Sequence, residues 1–599
     1  MTTEPSTPAA TPTQHPLRVV TPGALADRAQ PALRRLIDER FASRLAAGDA
    51  TIWGADAQPE AAKRLGWVHA DAVSAPLVDE IVALRDHLHA QGVDRIVLAG
   101  MGGSSLAPEV ITIAADVALH ILDTTDPQQL RRVLDHDIER TALVVSSKSG
   151  STLETDSQRR AFAAAFTAAG IDPAERIIIV TDPGSPLDAL ARQAGHHVFN
   201  ADPNVGGRYS ALTAFGLVPS GLAGADIAGL LADAHAALPA LLADAESNPA
   251  LQLAAALAAD PEHVDKFAVA CEDAGRLTDL PAWIEQLVAE STGKLGRGVL
   301  PIAVDTGEFE VAAEDRRDST AAARLAELTG APKPNRPADV VPVAVVDALP
   351  DAPADHAVWV AGSLGAQFMT WEIATAALGL LLGINPFDQP DVESAKAAAR
   401  DLLEHPVEGG APLLVDDTLA LFVPGTDEAA SAVASASTLE GALRRLLGQV
   451  DPALGYVAVQ VYADREGLAD LGERRGRLAA ALRRPVTFGW GPRFLHSTGQ
   501  YHKGGPAQGV FLQLTRVSDD PLPIPERPFG FAQLIRAQAT GDAQVLAAHG
   551  LPVLRIEASD DAGLARALDV AVRVASQVTD ARDSSGAGLS GRDTNSQSR

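Results

Sequence analysis

The sequence predicts an α/β protein of three successive parallel-sheet units. Short β-branched runs alternate with Ala- and Leu-rich stretches at helical spacing, the pattern of βαβ connections. The 599 residues are 46% hydrophobic and 21% charged, so the chain can bury large cores and is not a disordered polymer. Its length corresponds to roughly four average domains, or to fewer and larger ones.

In chain order, residues 1–16 form a Thr/Pro/Ala tail with no apolar period and are expected to be disordered. Residues 17–80 read as a helical N-terminal segment, with Leu33, Leu36, Ile37 and Phe41 at helical spacing. The runs RIVLAG, ALHILD, ALVVSS and RIIIVTD then define a first α/β unit over 81–245, closing in an Ala/Leu helical zone near Leu222–Ala259. KFAVACE, LPIAVD, VVPVAVV and HAVWVAG define a second over 246–405. LALFVPG, GYVAVQVYA, PVTFGWG, GVFLQLT and PVLRIEA define a C-terminal α/β region over 406–579, with helices such as LEGALRRLLGQV between them. The Ser/Gly/Asp-rich stretch 580–599 is expected to be a second disordered tail.

Charge and cysteine usage narrow the function. Lys and Arg total 49 against 77 Asp and Glu, a formal charge of -28 with no basic stripe. This balance argues against nucleic acid as a partner, because phosphate neutralisation needs the opposite sign. An anionic substrate would depend on local donors. The lone Cys271, in FAVACEDAG, excludes an intrachain disulfide framework and a Cys-rich zinc module, reads as core filler and fits a reducing compartment. The first residues lack the basic and apolar regions of a signal peptide. The longest apolar run, in ATAALGLLLGINPF, falls short of the ~20 residues of a membrane span. A cytoplasmic protein with no membrane partner is expected.

Five segments carry candidate chemistry, each with an ordinary structural reading beside the functional one. Gly100-Met-Gly-Gly-Ser-Ser105 follows a strand and precedes a helix, so its glycines and free N–H groups could meet an anion or simply make the turn. Ser146–Thr155, SSKSGSTLET, also follows a strand; its hydroxyls suit a phosphate at the ligand-binding edge of an open sheet, or an N-cap. In Asn204–Ser210, NVGGRYS, an Arg after two glycines is a surface turn or an oxyanion clamp. In QLVAESTGK, Gln286 and Glu290 at i,i+4 share a helix face, and a solvated helix-end Glu is the plain alternative. In NPFDQPDVESAK, turn chemistry precedes a helix bearing Lys396, which alone would read as an exposed lysine. The chain has only seven lysines, four of them (Lys148, Lys294, Lys396 and Lys503) inside Gly-, Ser- or Asp-rich candidate segments. An ammonium is a point charge and not interchangeable with the guanidinium this chain otherwise prefers.

Together and in order, these segments resemble the glucose-6-phosphate isomerase family. PNVGGRYSALTAFG and GINPFDQPDVESAK resemble its two signature segments, AGMGGSSLAPEV and SSKSGSTLET its phosphate loops, and QLVAESTGK its catalytic-glutamate segment. HSTGQYHKGGPAQG is similar to the isomerase module of bifunctional transaldolase/phosphoglucose isomerase enzymes. No transaldolase is expected, since a (β/α)8 barrel needs about 200 residues or more. The resemblance implies two sugar-isomerase parallel-sheet sandwich domains plus the C-terminal α/β region. It also implies reversible conversion of glucose 6-phosphate to fructose 6-phosphate in glycolysis and gluconeogenesis, without metal or other cofactor.

By the same resemblance, the phosphate rests on Ser147, Ser149, Thr152 and the backbone of Lys148, with Gly103 and Ser104 nearby. Glu290 is the base that moves the proton between C2 and C1, and carboxylates tuned toward neutrality do this in both directions. Arg208, after Gly207, stabilises the enediolate charge. Gln286 and Gln389 contact substrate, and Lys396 assists ring opening. The family's ring-opening histidine sits in a Gly-Gln-His segment between the Glu and Lys motifs, where this chain has only His356 without that segment. Gly365-Ala-Gln-Phe368 ends in Phe, which transfers no proton. The chain is expected either to rely on Lys396 alone or to use His496 or His502, in HSTGQYHKGG, each with a local loop histidine as its plain reading. The family's histidine comes from the partner chain of a dimer, so the resemblance implies a homodimer while the displaced histidine weighs against carrying that state over. Two other functions fit the same loops: a non-catalytic sugar-phosphate sensor, which needs no base, clamp or Lys, and an isomerase of a related sugar phosphate.

Overall fold

The structure, a computed structural model, describes residues 16–261, 263–271, 277–304, 339–350, 353, 357–405 and 411–587. The N-terminal tail 1–15 and residues 588–599 lie outside the described residues.

The strands are β1 (Arg18–Val20), β2 (Arg95–Gly100), β3 (His120–Leu122), β4 (Thr141–Ser146), β5 (Ile177–Thr181), β6 (His197–Asn200), β7 (Lys266–Cys271), β8 (Leu300–Val304), β9 (Val340–Val346) and β10 (Val358–Ala361). The C-terminal region adds β11 (Leu414–Asp416), β12 (Leu419–Phe422), β13 (Tyr456–Tyr462), β14 (Val486–Trp490), β15 (Gly509–Arg516) and β16 (Val553–Ala558). The first sheet, β3-β2-β4-β5-β6, is parallel throughout. Its inner strands are buried along their whole length, as expected where helices cover both faces. The second sheet is β1-β10-β9-β7-β8, parallel except at its edge, where β1 runs antiparallel to β10. The third, β11-β12-β16-β15-β13-β14, is parallel over β16-β15-β13-β14 and antiparallel at its β11-β12 edge.

Three strands were not expected from the sequence. β1 lies inside the segment read as helical, because RVV is too short to show a period yet supplies an edge to the second sheet. β6 and β11 are edge strands of four and three residues, only partly buried. The expected C-terminal tail also begins too early. The last helix runs from Asp561 to Ala587, because Arg582 donates to the carbonyls of Leu447, Gly448 and Val450 and Arg483 pairs with Asp583 at 2.8 Å. Those tertiary contacts hold a helix end that composition alone marks as loose.

The boundary near residue 245 is not a break in packing. Helix Ile227–Leu241 lies against helix Leu364–Leu382, close enough that a Cβ on Gly365 would come 2.3 Å from the Leu230 carbonyl oxygen. One continuous apolar cluster runs through the N-terminal segment and both of the first two sheets. The third domain attaches differently, through charge as well as apolar surface. Arg493 donates to Asp123 at 2.6 Å and to Glu109 at 2.5 Å, and Arg465 donates to Glu109 at 2.7 Å. Burial pushes the Glu109 carboxyl up, but the charges of Arg465 and Arg493 outweigh it and hold it at about 2. Arg132 grips Asp464 at 2.6 and 2.8 Å, and Arg484 pairs with Asp339.

Removing one member of a buried ion cluster strands its partners. Arg493→Met, which leaves Glu109 and Asp123 with one guanidinium fewer, is expected to destabilise third-domain docking by about 3–5 kcal/mol. A fall in the lowest-temperature unfolding transition measures it; an unchanged transition would show that the cluster does not secure the domain.

Candidate active site

A cavity of about 400 Å³ opens where the anion-loop candidates of the first sheet face the helices of the second. After β2, Gly102–Ser104 makes a single 3₁₀ turn before helix Leu106–Ala114. Gly102 has φ +56°, and a Cβ there would meet Gln286 Nε2 and the His496 carbonyl oxygen, both at 2.7 Å. A Cβ on Gly103 would fall 2.0 Å from the Gly207 carbonyl oxygen. Only glycines let these two loops approach so closely. After β4, Ser147–Thr152 curls ahead of helix Leu153–Ala168, with the Ser147 hydroxyl donating to Thr152 Oγ1 at 3.1 Å. The free N–H groups of that helix start and the adjoining hydroxyls form a ready anion cradle. The Lys148 side chain turns away to Asp182, at 2.7 and 2.9 Å, which leaves its backbone as the part of this lysine that faces the loop.

Arg208 stands on the 3₁₀ turn Gly207–Tyr209 and is buried, at 3% exposure. Its Nε donates to Ser291 Oγ at 2.8 Å, Nη1 to Gln389 Oε1 at 2.5 Å, and Nη2 to the carbonyls of Pro386 and Asp388 at 2.7 and 3.0 Å. A guanidinium has five N–H donors. Four are thus engaged, and Nη1 also lies 3.4 Å from Glu290 Oε1. Glu290 sits on helix Leu280–Thr292, one turn after Gln286, whose Nε2 donates to Glu290 Oε2 at 3.2 Å and to the His496 carbonyl at 2.7 Å. Gln389, expected to contact sugar, has its side-chain oxygen on Arg208, which leaves its NH₂ for a ligand.

The two candidate histidines have different surroundings. His496, on the 3₁₀ turn Arg493–His496, lines the cavity with its Nε2 3.1 Å from Glu154 Oε1. Glu154 also accepts from Gln538 Nε2 at 2.8 Å, and Gln538 accepts from the Thr125 hydroxyl at 2.6 Å. Burial raises the Glu154 carboxyl, but the adjacent His496 charge and hydrogen bond prevail and lower it. His502 does not reach the cavity. It is buried on helix Gly499–Gly504, stacks with Tyr456 and holds its Nδ1 3.0 Å from the Tyr456 hydroxyl. Desolvation first, then the charge of Lys503, pushes its pKa down to about 3. The aromatic environment of the third domain claims this ring, so the expectation that it opens sugar rings is corrected. His356 lies outside the described residues.

Every other expected residue lines this cavity: Gly103, Ser104, Ser147, Lys148, Ser149, Thr152, Gly207, Arg208, Gln286, Glu290, Gln389, Lys396 and His496. Arg64, Asp182, Glu154 and Gln538 were not anticipated. Glu154 lies within SSKSGSTLET, two residues past Thr152, and Asp182 directly follows β5 at the ligand edge of the sheet. Gln538 has no sequence signal, since only the tertiary fold brings its helix to Glu154.

Paired parallel-sheet units with a donor-rich loop at the strand ends and a buried carboxylate–guanidinium couple define an α/β protein with a candidate site for a small anion. The phosphoglucose isomerase family matches residues 86–312. A probable glucose-6-phosphate isomerase of Haloarcula marismortui is 38% identical over 35% of this chain and 49% of its own length. A glucose-6-phosphate isomerase of Rubrobacter xylanophilus is 30% identical over 52% of this chain and 83% of its own. The crystal structure of a hypothetical protein from Thermus thermophilus superimposes with a TM-score of 0.53 at 26% identity, over 65% of this chain and all of that one. The chain belongs to the glucose-6-phosphate isomerase family. It spans about half the length of the first curated relatives it matches.

The burial of His502 has a measurable consequence. An unfolded His binds a proton below about 6.5, whereas this ring stays neutral until about 3. The group therefore withdraws stability as pH falls through that window. Its NMR ring signals are expected to remain those of neutral imidazole down to about pH 4; titration near 6.5 would place the ring in solvent.

Proposed function

We propose that the protein interconverts glucose 6-phosphate and fructose 6-phosphate by proton transfer through an enediolate. The observation that carries this reading is the meeting, in one cavity, of three groups that the reaction needs. These are an anion loop, a carboxylate beside a buried guanidinium, and a histidine–carboxylate pair.

The phosphate sits on Ser147, Ser149, Thr152 and the backbone of Lys148, with Gly103 and Ser104 closing the loop. His496, backed by Glu154, works with Lys396 to move the proton from the C1 hydroxyl to the ring oxygen, so that the ring opens. Glu290 then removes the C2 proton, negative charge builds on the enediolate oxygens, the hydroxyl proton passes from O2 to O1, and the same carboxylate returns its proton to C1. Arg208 faces that charge. Because its guanidinium is already held by Ser291, Gln389, Pro386 and Asp388, it needs no reorganisation when the charge develops. The homodimer implied by the family stays part of the proposal, but the histidine belongs to the same chain, so a second copy is not required to supply it. Neither nucleic acid nor membrane enters this reading. Among the described residues no helix is long and apolar enough to cross a membrane.

The test is fructose 6-phosphate turnover coupled to glucose-6-phosphate dehydrogenase, wild type beside Glu290→Gln. Loss of the base is expected to keep sugar-phosphate binding while turnover drops ~10²–10⁴-fold or more. Binding without turnover in the wild type would instead indicate a sensor. His496→Ala is expected to lose more activity on the cyclic sugar than on an open-chain substrate; equal losses would remove His496 from ring opening.

A further inference from the structure

Lys294 lies just past the catalytic helix, in the STGK turn, and the proton transfers proposed for the reaction do not use it. It is 2% exposed, and it reaches the loop that holds Arg208. Its Nζ donates to the carbonyl oxygens of Asn385 and Asp388 at 2.8 and 2.5 Å and to Asp388 Oδ1 at 2.7 Å. The carbonyl of Asp388 thus serves both cations, since Arg208 Nη2 approaches it at 3.0 Å. Within Asn385–Gln389, every residue but Phe387 turns an oxygen to one of two buried positive charges. A strand would point alternate carbonyls to opposite sides and a helix would align them along its axis, whereas this bend lets one short loop meet both cations.

We infer that Lys294 is a positioning residue for Arg208: its ammonium holds the Asn385–Gln389 loop in the bend whose oxygens orient the guanidinium toward Glu290 and the substrate. The inference deepens the isomerase reading and rests on it. Charged groups face Lys294 from each element around it: Arg208 on its 3₁₀ turn, Asp388 on the loop and Glu290 on the helix. On helix Gly499–Gly504, packed against Gly293, His502 and Lys503 are turned instead to Tyr456 and Asp542. Burial and the Arg208 charge lower the Lys294 pKa to about 8 against the pull of Asp388 and Glu290. Below that pH the ammonium clamps the loop; above it the proton leaves, the three charge-assisted bonds weaken and the guanidinium loses its alignment.

The experiment compares pH–rate profiles of the full-length wild type, Lys294→Met and Asp388→Asn. Wild type is expected to lose kcat on an alkaline limb near pH 8. Lys294→Met should lack that limb and turn over about 10²-fold more slowly, the scale of a misplaced catalytic group, with KM little changed. Asp388→Asn removes a partly exposed carboxylate but keeps the backbone carbonyl, so the protein should fold and its limb should move to lower pH. A limb that persists in Lys294→Met and stays in place in Asp388→Asn would overturn the inference. NMR of the labelled lysine ε-carbons tests the same group without turnover. The Lys294 signal should titrate well below the ~10.4 of a free lysine and be missing in Lys294→Met. If that signal does not, the alkaline release of the clamp is wrong whatever the activity. Absence of wild-type turnover would count against the isomerase reading alone, and the titration would still decide the alkaline release of the clamp.

Discussion

Arg208 is a permanent positive charge taken almost completely out of water. A buried cation is tolerable only when its hydrogen-bonding capacity is met in place, and here that requirement shapes several distant parts of the chain. Ser291 comes from the end of the glutamate helix, Gln389 and the Pro386 and Asp388 carbonyls come from a loop about 180 residues further along than the arginine, and Glu290 supplies the nearest counter-charge. Gly103 must lack a side chain because the Gly207 backbone, one residue before the arginine, lies against it. The Gly102–Ser104 loop, Glu290 and the Asn385–Gln389 loop are thus held in register by one guanidinium.

The third domain meets this arrangement from outside. Its contribution to the cavity is one short turn, Arg493–His496, whose first residue is fastened to Glu109 and Asp123 and whose last carries the imidazole. Glu109 belongs to the helix that starts just after the Gly102–Ser104 loop. The turn that presents His496 and the Gly102–Ser104 loop are therefore braced against the same helix. Short turns can be this exact only when both ends are tied, and the Gln286 side chain ties the other end through the His496 carbonyl.

Much of this was legible in the sequence because it depends on local chemistry. Continuous β-branched runs announced the inner strands, since parallel strands buried on both faces show no alternation. Gly-, Ser- and Thr-dense segments after strands announced the loops. What stayed hidden depends on distance in the chain. β1 and β11, at three residues each, carry no period and exist through their partners. Choosing between His496 and His502 was beyond local reading, because both sit in one donor-rich stretch six residues apart. Only the fold shows that Tyr456 stacks on one while Glu154 meets the other. The Gln538–Glu154 bond joins residues 384 apart in sequence, and no pattern within either segment points to it.

The placement of His496 also sets an order of assembly during synthesis. The anion loops, Arg208, Glu290 and Lys396 all precede residue 400, and the first two sheets share one apolar cluster. A nascent chain emerging from the ribosome can therefore shape most of the cavity while its wall on the histidine side is still untranslated. That wall arrives with β13, β14 and the turn after them, and Gln538, which steadies Glu154, arrives later still. A chain terminated between residues 496 and 538 would thus keep the candidate anion loops and His496 but lack Gln538, the second hydrogen-bond partner of Glu154.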